Sequence, residues 1–79
     1  MRRETSLPLL FAPIGKTVKL VRVRGGVRMT RRLAEMGLTP GVELRVIQNA
    51  GGRLMISVRD SRLALGRGLA HKMRVSLVD

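Results

Sequence analysis

The sequence predicts a small, mainly β domain in which about five strands form a barrel and one α-helix lies between the first two strands. Three observations lead to this prediction. Short segments of alternating apolar and polar residues follow one another closely, as in small antiparallel barrels. Residues 27–36 alone have the apolar spacing that is typical of a helix. The length of 79 residues fits a single domain.

The predicted strands share a period of two and are separated by short turn signals; they cover residues 17–24, 42–48, 53–59, 62–65 and 73–78. The alternation is clearest in the third of them, where Leu54, Ile56 and Val58 share the inward face. In the first strand the alternation breaks between Leu20 and Val21, which predicts a β-bulge or a strand partly buried on both faces.

The predicted helix and the residue after it form the clearest local pattern in the chain. Met29, Leu33 and Met36 recur at the spacing of one helix face. Gly37 then supplies a residue that adopts the left-handed backbone conformation without a Cβ clash, which is how many helices end. We expect Leu38 to fold back on Leu33, because this apolar contact often accompanies such an ending.

Two further segments have turn chemistry. Thr39-Pro40-Gly41-Val42 has proline and glycine at its central positions, which predicts a type II turn. Residues 66–72 are predicted to be irregular or a single helical turn, because two glycines weaken a helix there.

The N-terminal segment is predicted to be a flexible tail of residues 1–8, followed by the barrel domain at residues 9–79. Its basic start and the apolar residues after it faintly resemble a signal peptide, but Pro8 and Pro13 interrupt the apolar run. No apolar run approaches the roughly 18–20 residues that cross a bilayer.

Positive charge dominates the composition. Sixteen basic residues, most of them arginine, face five acidic ones, and the formal net charge is +11. Such a balance predicts attraction to polyanions, but it does not choose between nucleic acid, anionic lipid and an acidic protein surface.

The residues that carry enzyme and metal chemistry are scarce. The chain has one histidine, no cysteine and five scattered acidic residues, so the sequence contains no nucleophile–base pair and no close carboxylate pair. His71 has no neighbouring carboxylates with which to build an iron site. We therefore predict that the protein is not an enzyme and has no cofactor or metal site of its own.

Several stretches, once placed on these elements, together resemble a known family. They are the apolar lead-in at 9–16, the helix end and corner at 31–41, the strands at 56–65, Val46 and Val75. The order Leu-x-x-x-Gly-Leu-x-Pro-Gly in the corner is the most specific part. With these residues, the chain resembles the ferrous iron transport protein A (FeoA) family from residue 9 to residue 78.

The resemblance implies an SH3-like barrel and an accessory role in ferrous iron transport. It implies a partner, FeoB, the GTPase-coupled membrane permease for ferrous iron. We expect a cytoplasmic regulator, free or peripheral to the inner membrane, that acts by protein–protein interaction. Homo-oligomers are a further expectation, because a small open barrel leaves strand edges unpaired.

The candidate docking region for this partner is the helix end and the corner after it: Arg31, Arg32, Leu33, Gly37, Leu38 and Pro40. For Leu33 and Leu38 the sequence leaves a second interpretation open, in which both are core residues.

The alternative function is a basic barrel of regulatory or ribosomal type that binds duplex DNA or structured RNA through phosphates. Its candidate residues are the outward arginines of the predicted strands: Arg45, Arg53, Arg59, Arg62 and Arg74. A solvated basic face accounts for these residues equally well. Phe11 is the single aromatic residue, which argues against base stacking on single strands and against an aromatic groove for proline-rich ligands.

Overall fold

The computed structural model describes residues 5–78. Within them the chain forms six strands, two α-helices and one 3₁₀ turn. In chain order these are β1 (Leu7–Pro8), the 3₁₀ turn (Leu9–Phe11), β2 (Thr17–Val23), α1 (Val27–Glu35), β3 (Glu43–Ala50), β4 (Arg53–Val58), β5 (Ser61–Gly66), α2 (Arg67–Lys72) and β6 (Met73–Leu77).

The strands form one antiparallel sheet in the order β1-β6-β2-β3-β4-β5. The register of β2 shifts between Leu20 and Arg22, which confirms the predicted bulge. A second shift, between Val46 and Gln48 of β3, has no counterpart in the prediction. Bulges bend a strand and increase its twist. The helix α2 contacts β5, β1 and the 3₁₀ turn, so it covers the gap between the two edges of the curled sheet. The predicted small SH3-like barrel is confirmed.

The core is aliphatic and lies inside the curled sheet. Leu54, Ile56 and Val58 of β4 are buried as predicted. The remaining buried apolar residues come from every other strand except β1, and from the helices and the connections: Leu9, Ala12, Val18, Leu20, Leu33, Leu38, Leu44, Val46, Leu65, Ala70, Met73 and Val75.

The structure adds one strand at the N-terminal end. The tail was predicted over residues 1–8, but Leu7 and Pro8 form β1, opposite Val75 and Arg74 of β6. The guanidinium of Arg74 donates a hydrogen bond of 2.8 Å to the backbone carbonyl of Ser6. A two-residue strand is too short to show a period in the sequence. It forms because the edge of β6 pairs with it. Residues 1–4 of the predicted tail lie outside the described residues.

The segment at 66–72 is also more regular than its glycines indicate, because it contains the six-residue helix α2. Ala70 is completely buried and Leu69 packs against the core. This burial outweighs the roughly 1 kcal/mol by which Gly68 disfavours a helix.

The ending of α1 is confirmed in detail. Gly37 has φ = 84°, in the left-handed region. Its N–H donates to the carbonyl of Ala34 at 2.9 Å, and the N–H of Leu38 donates to the carbonyl of Leu33 at 2.9 Å. These two bonds define a Schellman motif, which satisfies carbonyls at the end of the helix. Leu33 and Leu38 both lie in the core, as one of the two interpretations expected.

The turn after α1 fastens the corner to the barrel. The N–H of Val42 donates to the carbonyl of Thr39 at 3.0 Å and Gly41 has φ = 97°, as a type II turn requires. Gly41 donates to the carbonyl of Leu20 at 2.7 Å, and Leu20 donates to the carbonyl of Val42 at 2.9 Å. The corner is therefore hydrogen-bonded to β2 at the bulge.

Replacing Gly37 by alanine should destabilise the protein by about 1 kcal/mol or more, because a Cβ disfavours the left-handed backbone conformation. The measurement is the free energy of unfolding in urea. Gly68→Ala is the matched control, because Gly68 lies in α2 with no positive φ and open space around an added Cβ. We expect this control to be neutral or stabilising. Equal losses in both variants would contradict the role assigned to Gly37.

Candidate docking site: a basic, methionine-lined groove

The helix α1 is held on the barrel by few side chains. Leu33 is its one completely buried residue, and Leu38, just beyond its end, is the next anchor. Met29 and Met36 are half-buried and pack against the edge of the core. The rest of α1 is exposed. A helix anchored in this way leaves space between its sides and the sheet.

That space is a groove of about 580 Å³ between α1 on one side and β5 with the start of α2 on the other. Most of its lining is apolar and comes from both sides: Met29, Leu33, Met36, Ala64, Leu65 and Leu69. Arg28 and Arg32 are exposed and line it on the α1 side. The volume lies in the range of about 300–1,000 Å³ that is typical of binding pockets.

Met29 owes its position to a neighbouring glycine. A Cβ on Gly25 would lie 2.9 Å from the Met29 sulfur, so the thioether packs where other residues have a side chain. Methionine is flexible and polarisable, and it adapts to differently shaped partners. One wall of the groove is therefore formed in part by a flexible thioether side chain.

The structure separates the six predicted docking residues. Leu33 and Leu38 are buried in the core and Gly37 is half-buried at the helix end. Arg31 and Arg32 are both exposed, but only Arg32 lines the groove.

Pro40 is exposed in the turn, and the residues that line the groove do not include it. Leu33 supplies part of the groove lining as well as the anchor of α1. The predicted region and the groove thus overlap at Arg32 and Leu33.

Sequence reasoning did not identify the wall opposite α1. Ala64 and Leu65 belong to β5, and Leu69 belongs to α2, which was not predicted as a full helix. The sequence placed Met29 and Met36 on one apolar face of the predicted helix. Their helical spacing correctly indicates an inward face, but it does not reveal that the face is only half covered.

The outward arginines of the alternative function do not form one patch. Arg45 and Arg62 flank Ser57 on neighbouring strands, and Arg59 lies in the β4–β5 turn. Arg53 lies at the opposite end of β4, and Arg74 is half-buried against Ser6. At most three of the five candidate arginines therefore lie on one part of the sheet. Nucleic-acid binding stays a prediction from charge.

Acidic side chains are few and scattered in residues 5–78. This part of the chain has no group of three His, Cys, Asp or Glu side chains placed to hold a metal ion. None of its helices has the length and apolar character needed to cross a membrane. His71 is exposed in α2, with its ring edge-on to Phe11 at 6.4 Å between centroids.

The structure is thus a small SH3-like barrel with an open apolar groove and exposed basic residues beside it. A family model, the FeoA domain, matches residues 7–77. A protein of Methanocaldococcus jannaschii with the provisional name Fe(2+) transport protein A is 41% identical over 68 residues, which are 86% of this chain and 83% of that protein. The chain therefore belongs to the FeoA domain family, and the resemblance found in the sequence is confirmed.

Solved structures agree with this assignment. The crystal structure of an iron uptake regulatory protein (FeoA) is 33% identical, covers 94% of this chain and 100% of its own, and has a TM-score of 0.85. The FeoA protein of Chlorobium tepidum is 23% identical over 92% of this chain and 71% of its own, with a TM-score of 0.84. A manganese-dependent transcriptional repressor shares the fold, at 20% identity and a TM-score of 0.87 over 44% of its length.

The sparse anchoring of α1 predicts that this helix opens without unfolding the barrel. Its amides should exchange with deuterium through an opening of lower free energy than that of β4, where Leu54 and Ile56 are completely buried. Native-state hydrogen exchange in low concentrations of denaturant measures both free energies. Amides of α1 that exchange only by global unfolding, together with those of β4, would contradict this account of the helix.

Proposed function

We propose that the protein is an accessory and regulatory protein of ferrous iron transport, which binds the cytosolic side of a FeoB-type permease through the groove beside α1. Membership in the FeoA domain family and the names of its relatives support the transport role. The proposed docking site rests on one observation, the apolar groove that Arg28 and Arg32 line on one side.

The chemistry of the groove indicates what its partner segment contains. An apolar lining favours one or two apolar side chains that leave water on binding. The exposed arginines favour carboxylates at the margin of that segment, since complementary charge speeds encounter and fixes orientation. Arginine and methionine are also enriched in protein interfaces. The partner segment is therefore apolar at its centre and acidic at its edge.

Binding of the permease in the groove also gives the protein a way to regulate the permease. A ligand shifts a conformational equilibrium of the permease only by as much as its affinity differs between the two states. The groove binds more tightly to the permease state that presents the better complementary surface. The helix α1 adjusts to that surface because it is anchored mainly through Leu33 and Leu38. The protein thereby favours one conformation or changes GTP turnover, acts from the cytoplasm, and needs no catalytic group or cofactor of its own.

The adjacent arginines Arg31 and Arg32 provide a direct test, because the same substitution at each changes the net charge equally. Arg32→Glu should weaken binding to the cytosolic domain of the permease by roughly tenfold, since it places a negative charge in the groove. Arg31→Glu should weaken it far less, because Arg31 does not line the groove. Isothermal titration calorimetry at physiological salt measures both affinities.

Both variants should keep the wild-type free energy of unfolding within about 0.5 kcal/mol, because both side chains are exposed. Equal affinities of the two variants would contradict docking in the groove. If the wild-type chain does not bind the permease domain at low or physiological salt, the proposed partner is wrong.

A further inference from the structure

The single aromatic side chain of the protein is on the surface. Phe11 is 62% exposed, and the core of the described residues contains no Phe, Tyr or Trp and is filled by aliphatic side chains. Ile14, three residues later in the same loop, is 59% exposed. Isolated exposed apolar residues are common on proteins. Phe11 and Ile14 give this loop two large exposed apolar side chains close together in the chain, which we call the apolar tip.

The loop that carries these residues is well anchored. Leu9 and Ala12, on either side of Phe11, are buried in the core, and Ala12 donates a backbone hydrogen bond of 3.0 Å to the carbonyl of Leu9. The side-chain amide of Asn49 donates to the carbonyl of Leu10 at 3.2 Å.

The far end of the loop is fixed as well. Gly15 donates a backbone hydrogen bond of 2.9 Å to the carbonyl of Val46 in β3. The loop thus has core contacts on one side of the tip and a bond to the sheet on the other. Phe11 and Ile14 are therefore held outward by a built structure, and their exposure does not come from a lack of anchoring.

Basic residues lie in this loop and in the segments next to it. Lys16 closes the loop, with its N–H 3.4 Å from the carbonyl of Pro13. On the other side the ring of Phe11 meets His71 of α2, and Lys72 follows. The N–H of Arg24 donates to the carbonyl of Lys72 at 2.7 Å, which brings a further cationic residue to the end of α2.

The acidic residues of the described part of the chain belong to other segments. Within residues 5–78 the carboxylate side chains are those of Glu35, Glu43 and Asp60, and none of them belongs to the 3₁₀ turn, the loop after it or α2. The tip therefore combines outward apolar side chains with basic neighbours. This pairing suits an anionic membrane surface, where apolar groups enter the boundary of the acyl chains and lysine or arginine attracts anionic headgroups.

We propose that the loop of residues 11–16 and the end of α2 form a membrane-contacting tip that binds bilayers containing anionic phospholipid. Phe11 and Ile14 insert at the interface, while Lys16, Lys72 and Arg24 attract the headgroups. A bilayer accommodates a protruding apolar pair without a preformed pocket, whereas a protein partner needs a matching cavity. The tip is separate from the groove beside α1, since none of the residues that line the groove belongs to it.

Vesicle co-sedimentation with the purified full chain tests the proposal without any permease present. One set of vesicles is pure phosphatidylcholine, and the other contains phosphatidylglycerol as well. Wild-type protein should bind the second set and not the first, with binding that weakens as salt is raised. The double variant Phe11→Ser/Ile14→Ser should bind roughly tenfold more weakly, because it removes the apolar groups that leave water on insertion.

Val27→Ser is the matched control, because Val27 is 77% exposed on α1, outside the tip. A charge pair completes the set: Lys72→Glu should weaken binding more than Arg62→Glu, although the two change the net charge equally. Urea denaturation checks that each variant is folded. Undiminished binding of the double variant, an equal loss in Val27→Ser, or no binding of the wild type to the anionic vesicles at low salt would overturn the proposal.

Discussion

The corner between α1 and β3 is the constraint on which the rest of the structure depends. The chain must leave a helix, reverse and enter a strand within a few residues, while two leucines of that segment remain in the core. Left-handed glycines at 37 and 41 make both changes of direction feasible, and the bonds to Leu20 join the corner to the bulge of β2. The position of α1 on the barrel is set by this end of the helix.

The groove follows from the same constraint. Leu33 is the one completely buried residue of α1 and Leu38 lies just beyond its end, and a groove stays open between this helix and β5 with α2. Half-buried methionines fill part of the space, and exposed arginines border it. An aliphatic core therefore supports an open apolar groove on one side and, at the loop of Phe11, two exposed apolar side chains on another.

Features that depend on local sequence were predictable: the alternation in β4, the bulge at Leu20, and the glycine ending and turn after α1. The strand β1 and the helix α2 were not, because their stability comes from contacts with distant residues such as Arg74 and the 3₁₀ turn. The candidate site was found in part. Helical spacing located Met29, Leu33 and Met36 on one face, but periodicity does not show how much of a face is covered. The place of Leu69 in the groove was not predictable from the sequence, because it depends on α2.

Methionine-methyl NMR tests the central claim, docking in the groove, most directly. Met29 and Met36 line the groove, whereas Met73 is buried in the core and Met55 lies on the outer face of β4. With ¹³C-labelled methionine methyl groups, addition of the permease's cytosolic domain should shift or broaden the signals of Met29 and Met36 and leave that of Met73 unchanged. Binding that perturbs Met55 while both groove signals stay unchanged would contradict the account.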